Sequence, residues 1–132
     1  MGHIRHGFIR DKIAIIGVGA TKFGELWEKN QYDLLREAAN ESFKDAGIKD
    51  PNEEIDAIWC GVQYWFTGLS GGLAADSIKL YGKPVTHVEN FCASGMDAFR
   101  NACYGVASGV NDIAVACGVE KLMDEGSTGL PG

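Results

Sequence analysis

The sequence has no long apolar run, no paired metal-binding cysteines and no excess of basic charge. No stretch approaches the roughly 18 apolar residues of a membrane-spanning helix. The first twelve residues are basic and contain His3 and His6, but they lack the apolar core of a secretory signal. Lys and Arg number 12 against 18 Asp and Glu, a net charge of -6 with a pI near 4.9. An acidic surface repels phosphate backbones and anionic lipid, which argues against nucleic acid and membrane as partners. The four cysteines, Cys60, Cys92, Cys103 and Cys117, form no C-x-x-C pair, so no metal site is expected. Internal repeats and linkers are also missing. The chain therefore reads as a single cytoplasmic domain.

The residues present support a folded core. The apolar fraction is 45% over 132 residues, enough for one domain without covalent staples. The 18 glycines fall at the ends of apolar runs, where they act as punctuation. Cys60, Cys103 and Cys117 lie inside apolar runs and are expected as buried free thiols.

Periodicity predicts a β-α-β-α-β-α-β order. Residues 12–17 form a β-branched run ending at Gly17 and read as a first strand. Residues 30–46 read as a helix with Asn30 as its cap, Asp33 completing a capping box and Gly47 as its stop. Further strands are expected at 55–62, 85–88 and 113–117. Further helices are expected at 72–81 and from Cys92 or Ala93 to Ser108. Strands alternating with helices predict an α/β fold, a mostly parallel sheet with helices on both faces. Ligands in such sheets sit at the carboxyl ends of the strands. The tail from Met123 is glycine-rich and aperiodic, so residues 1–132 are expected to be an incomplete domain with a C-terminal half elsewhere.

Two glycine-containing segments invite chemistry. Gly17-Val18-Gly19-Ala20-Thr21-Lys22 begins like a dinucleotide-binding loop, but Lys22 replaces the third glycine and no helix follows directly. A tight turn is the better reading. Asn90-Phe91-Cys92-Ala93-Ser94-Gly95-Met96 joins a strand to a helix and places Cys92 at a helix N-terminus. There the positive end of the helix favours thiolate, small residues leave room for a substrate, and peptide N–H groups can receive an oxyanion. Spacing alone still favours a buried structural cysteine. His87, five residues earlier, reads mainly as a strand or loop residue, and Asp97, Arg100 and Asp112 as solvated charges. Tyr64-Trp65-Phe66 is expected either to line an acyl pocket or, preferably, to make a subunit contact.

Cys92, with Ser94 and Gly95 after it, resembles the nucleophile segment of thiolases. Gly118-Val119-Glu120-Lys121-Leu122-Met123 is similar to the segment that follows that family's fourth strand. Ala14-Ile15-Ile16-Gly17 with Thr21-Lys22-Phe23-Gly24 is similar to its N-terminus, and Asp45-Ala46-Gly47-Ile48 to a recurrent helix ending. The likeness spans nearly the whole chain in order and turns the balance at Cys92 toward nucleophile. It is nearest the sterol-carrier and archaeal types, with Glu89 where many thiolases carry Asn.

That resemblance implies an acyl-CoA thiolase that cleaves or condenses β-ketoacyl-CoA through an acyl group on Cys92. The coenzyme A thioester is a substrate, with no covalently bound cofactor. A histidine base and a second acid/base residue would come from the C-terminal half. The resemblance further implies a homodimer or larger oligomer and a small zinc-ribbon and OB-fold partner protein. An aldolase or ketoacyl synthase of the same superfamily, and a non-catalytic scaffold half, are the alternatives.

Overall fold

The computed structural model describes residues 9–63 and 70–122. Helix α1 spans Gln31–Ala46, and the short α2 spans Pro51–Glu54. They are followed by β1 (Ala57–Gly61), α3 (Ser70–Ile78), β2 (Val85–Val88), α4 (Ser94–Ala107) and β3 (Ala114–Gly118).

The expected capping box starts α1. Asn30 Oδ1 accepts the Asp33 N–H at 3.0 Å, and Asp33 Oδ2 accepts the Asn30 N–H at 3.1 Å. Gly47, with φ 74°, closes the helix in the left-handed conformation that glycine adopts without steric cost. Helix α2 lies outside the predicted elements. It rests on Asp50 as cap and Pro51 in its first turn.

The three strands run parallel in the order β2-β1-β3. Side chains alternate across β1. Ile58, Cys60 and Val62 join Leu35, Phe43, Ile78 and Leu80 in one buried cluster against α1 and α3. Trp59 and Gly61 face α4: a Cβ on Gly105 of α4 would meet the Trp59 ring, and one on Gly61 would meet Ser94. Helices thus cover both faces, as right-handed crossovers require when one runs from β1 to β2 and the next runs back past β1 to β3. All three strands end at the same edge, at Gly61, Val88 and Gly118.

The expected first strand is not part of this sheet. Residues 13–20 have no regular structure. Just beyond that run, the Val18 N–H donates to Asp45 and the Ala20 N–H to Glu41, both at 2.9 Å, which ties the following residues to α1. Gly17 and Gly19 allow this, because a Cβ on either would collide with the α1 backbone at Ser42 or Ala38. A cavity of about 430 Å³ separates this segment from β3. Among the described residues the sheet has three strands rather than four.

The segments 1–8, 64–69 and 123–132 lie outside the described residues. The expectations for Tyr64-Trp65-Phe66 and for the glycine-rich tail fall there. No helix among the described residues is long and apolar enough to cross a membrane.

Candidate active site

β2 ends at Val88 and α4 begins at Ser94, so five residues turn the chain from strand to helix. Cys92 lies in this elbow, exposed, two residues before the first residue of α4. The elbow sits at the carboxyl end of the sheet, where the sequence pattern places a ligand. Its seat on β1 is close: a Cβ on Gly61 would lie 2.5 Å from the Ser94 carbonyl oxygen.

The elbow is held from within. The Ala93 N–H donates to the Asn90 carbonyl at 2.9 Å, and the Ser94 N–H to the Phe91 carbonyl at 3.1 Å. The Ser94 hydroxyl accepts the Asn90 N–H at 2.8 Å and donates to the Phe91 carbonyl at 2.7 Å. The Asn90 side-chain amide donates to Asp97 at 3.0 Å, and Asp97 pairs with Arg100 at 2.7 Å. Glu89 accepts the Phe91 N–H at 2.6 Å. Phe91 itself has φ 46°, a left-handed conformation that a bulky side chain rarely adopts. The Ala93 and Ser94 N–H groups are spent on the turn, so of the donors after Cys92 only those further along can face an oxyanion.

Several residues behave otherwise than their sequence suggests. Ser94 reads as a small residue that leaves room for substrate, yet it is buried and turned into the elbow. The open side belongs to Gly95, where a Cβ would meet nothing within 4 Å. Asp97 and Arg100 read as solvated charges; Arg100 is exposed as expected, whereas Asp97 is half-buried, accepts the Asn90 amide and pairs with Arg100. A serine at a helix start, able to bond backbone groups three and four residues back, is the local signal that could have found this clasp. The Asp112 N–H is bound by Asp56 at 2.7 Å, which ties the loop before β3 to the start of β1. The His87 ring sits 2.7 Å from the Val62 carbonyl and so links β2 to the end of β1.

The other cysteines contrast with Cys92. Cys60 is fully buried, while Cys103 and Cys117 are half-buried. Cys60 and Cys117 are register neighbours on β1 and β3. The hydrogen bond to Cys117, with burial second, pushes the Cys60 thiol far above its ordinary range. Cys60 is therefore a core thiol, and of the four only Cys92 is exposed.

A second cavity, of about 410 Å³, lies between residues 19–27 and the segment after β3. Cys92 lines neither this cavity nor the one beside β3. Among the described residues no cluster of His, Cys, Asp and Glu is arranged to hold a metal ion.

The family profile described as "Thiolase, N-terminal domain" matches residues 13–128. The acetyl-CoA acetyltransferase of Methanothermobacter thermautotrophicus is 39% identical over 122 residues, covering 85% of this chain and 30% of that protein. Sterol carrier protein 2 of Homo sapiens is 30% identical over 122 residues, covering 90% of this chain and 22% of that protein. The chain thus spans less than a third of the length of these relatives. Among solved structures, an acetyl-CoA acetyltransferase from Syntrophomonas wolfei aligns with a TM-score of 0.68 at 28% identity, over 76% of this chain and 27% of that one. A 3-oxoacyl-[acyl-carrier-protein] synthase III from Aquifex aeolicus aligns with a TM-score of 0.64 at 19% identity, covering 83% of this chain and 45% of that one, and shows the shared fold alone. With the family profile running through both the elbow and the sheet that seats it, this chain belongs to the thiolase family.

Proposed function

We propose that this chain is the nucleophile-bearing part of an acyl-CoA thiolase and that Cys92 carries the acyl group. The observation that carries the reading is the contrast among the cysteines: Cys92 alone is exposed, on a braced turn ahead of a helix and at the carboxyl edge of the sheet. The acetyl-CoA acetyltransferase relatives supply the substrate class, a coenzyme A thioester.

The chemistry runs as follows. A base contributed from outside residues 1–132 takes the Cys92 proton. The thiolate attacks the β-carbonyl carbon of a β-ketoacyl-CoA. The bond between the α and β carbons breaks, leaving an acyl thioester on Cys92 and the enolate of acetyl-CoA, which is then protonated. The thiol of a second coenzyme A attacks the thioester, releases the acyl group as acyl-CoA and regenerates Cys92. Condensation is the same sequence reversed. The reading includes a C-terminal half that supplies the acid/base residues and a homodimeric assembly.

The test is turnover by the complete enzyme that contains this segment. Supplied with β-ketoacyl-CoA and coenzyme A, it should release two acyl-CoA products. Cys92→Ala should lower the rate by about a thousandfold or more. Cleavage of β-hydroxyacyl-CoA in its place, unaffected by Cys92→Ala, would replace thiolysis with a retro-aldol reaction.

A further inference from the structure

Building on the assignment of Cys92 as nucleophile, we propose that Ser94 is a positioning residue that locks the elbow in which Cys92 sits. Ser94 is 5% exposed, and its hydroxyl is used in both directions. It accepts from the Asn90 N–H and donates to the Phe91 carbonyl, at 2.8 and 2.7 Å. Both partners precede Cys92 in the chain and Ser94 follows it, so these bonds close a loop around the cysteine.

The loop contains a conformation that must be held. Phe91 has φ 46°, where the Cβ of an L-residue crowds its own backbone. Such a backbone persists only where its surroundings over-determine it. The Phe91 ring cannot supply this, because the residue is 63% exposed. The holding therefore falls to polar bonds. Glu89 and Asp97 provide two of them from exposed or half-exposed positions, where water competes for the same groups. Ser94 is the buried one, and its own carbonyl is pressed against Gly61. It ties the elbow to itself and to the end of β1 together.

Ser94 is not a catalytic residue in this account. Its donor and one of its acceptor positions are occupied within the turn, and it acts through Cys92. Without the hydroxyl, Phe91 relaxes toward ordinary backbone and the Cys92 sulfur rotates away from its place ahead of α4. Displacements of that order lower the chemical step more than they weaken substrate binding.

The experiment compares Ser94→Ala in the wild-type and Phe91→Gly backgrounds of the complete enzyme, with Ser94→Thr and Cys92→Ala alongside. Ser94→Ala should lower kcat about tenfold or more while KM stays within about twofold. In the Phe91→Gly background the same substitution should cost under about threefold, because glycine adopts the left-handed conformation without strain. Ser94→Thr keeps the hydroxyl and should keep most of kcat. If Ser94→Ala does not fold, Ser94→Cys, nearly equal in volume with a weaker donor, takes its place with the same expected split. Wild-type kcat in the hydroxyl-deleted variant, or an equal loss in both backgrounds, would overturn the proposal. Cys92→Ala separates the two claims. If it keeps turnover, the nucleophile assignment fails and the role of Ser94 fails with it. If it is inactive while Ser94→Ala is unimpaired, only the role of Ser94 fails.

Discussion

Gly61 and Ser94 meet backbone to backbone: a Cβ on the glycine would lie 2.5 Å from the serine carbonyl oxygen. The end of β1 and the first turn of α4 thus touch with no side chain between them. Any side chain at position 61 has to push α4 outward and carry the Cys92 elbow with it. Gly61→Ala is expected to lose about 1–3 kcal/mol of stability as an overpacked substitution. It should lower turnover as well, since the nucleophile moves with the helix. Denaturant unfolding together with a rate assay checks both, and a variant with unchanged stability and rate would contradict the close seat.

The Cys60 thiol gives the protein an alkaline weakness. Its hydrogen bond to Cys117, and its burial, hold the folded-state thiol protonated far above the ordinary range. The unfolded chain ionises the same thiol near pH 8.5. The stabilisation is complete below that pH and is lost as pH rises above it, by roughly a kcal/mol per pH unit. Cys60→Ala is expected to be less stable than the wild type at pH 7 but to lose less between pH 8 and 10. Urea midpoints across that range measure the difference, and parallel curves for the two proteins would count against the buried thiol.

Asp56 works in the opposite direction. Its carboxylate accepts the Ile113 N–H at 3.0 Å and the Asp112 N–H at 2.7 Å. These bonds, that to Ile113 first, hold its pKa below the usual carboxylate value. The contribution is present above the unfolded pKa of about 3.9 and is lost as pH falls through the depressed folded value. Asp56→Ala should therefore be destabilised at pH 7 and lose less on acidification from pH 5 to pH 2. Midpoints that fall in parallel for both proteins would show that these N–H groups find other partners.

Ile58 is fully buried at the centre of the three-stranded sheet, on the face covered by α1 and α3. Ile58→Ala removes three carbons that no neighbour can readily replace. The expected loss is about 2–5 kcal/mol, read as a fall in the denaturation midpoint. A loss below about 1 kcal/mol would mean that this core collapses around the gap.

Local signals in the sequence were enough to specify α1, because a capping box and a left-handed glycine cap act within a few residues. They also located β2, and they placed α4 and β3 to within two residues, since apolar periodicity carries that information. The run at 12–17 shows where such signals end. Its β-branched residues suit a strand, but a strand also needs a ladder partner, and this run joins no ladder: Ile15 and Ile16 stay exposed, and a cavity lies between the run and β3. No local pattern encodes which ladder a strand joins. The short α2 could have been found from Asp50 followed by Pro51, a cap and a first-turn proline. At the site, the strand-to-helix turn marked Cys92 while the clasp around it was missed. The left-handed backbone of Phe91 runs against its residue type, and Ser94 reads as open space until its burial is seen.

Acylation of Cys92 can be read by peptide mass spectrometry of the complete enzyme. The enzyme would be mixed with a β-ketoacyl-CoA or with acetyl-CoA, quenched in acid and digested. The expected result is an added acyl mass on the peptide that contains Cys92, absent from Cys92→Ala and removed by adding coenzyme A. An enzyme that turns over substrate while Cys92 stays unmodified, or that carries the acyl group on Cys60, Cys103 or Cys117, would contradict it.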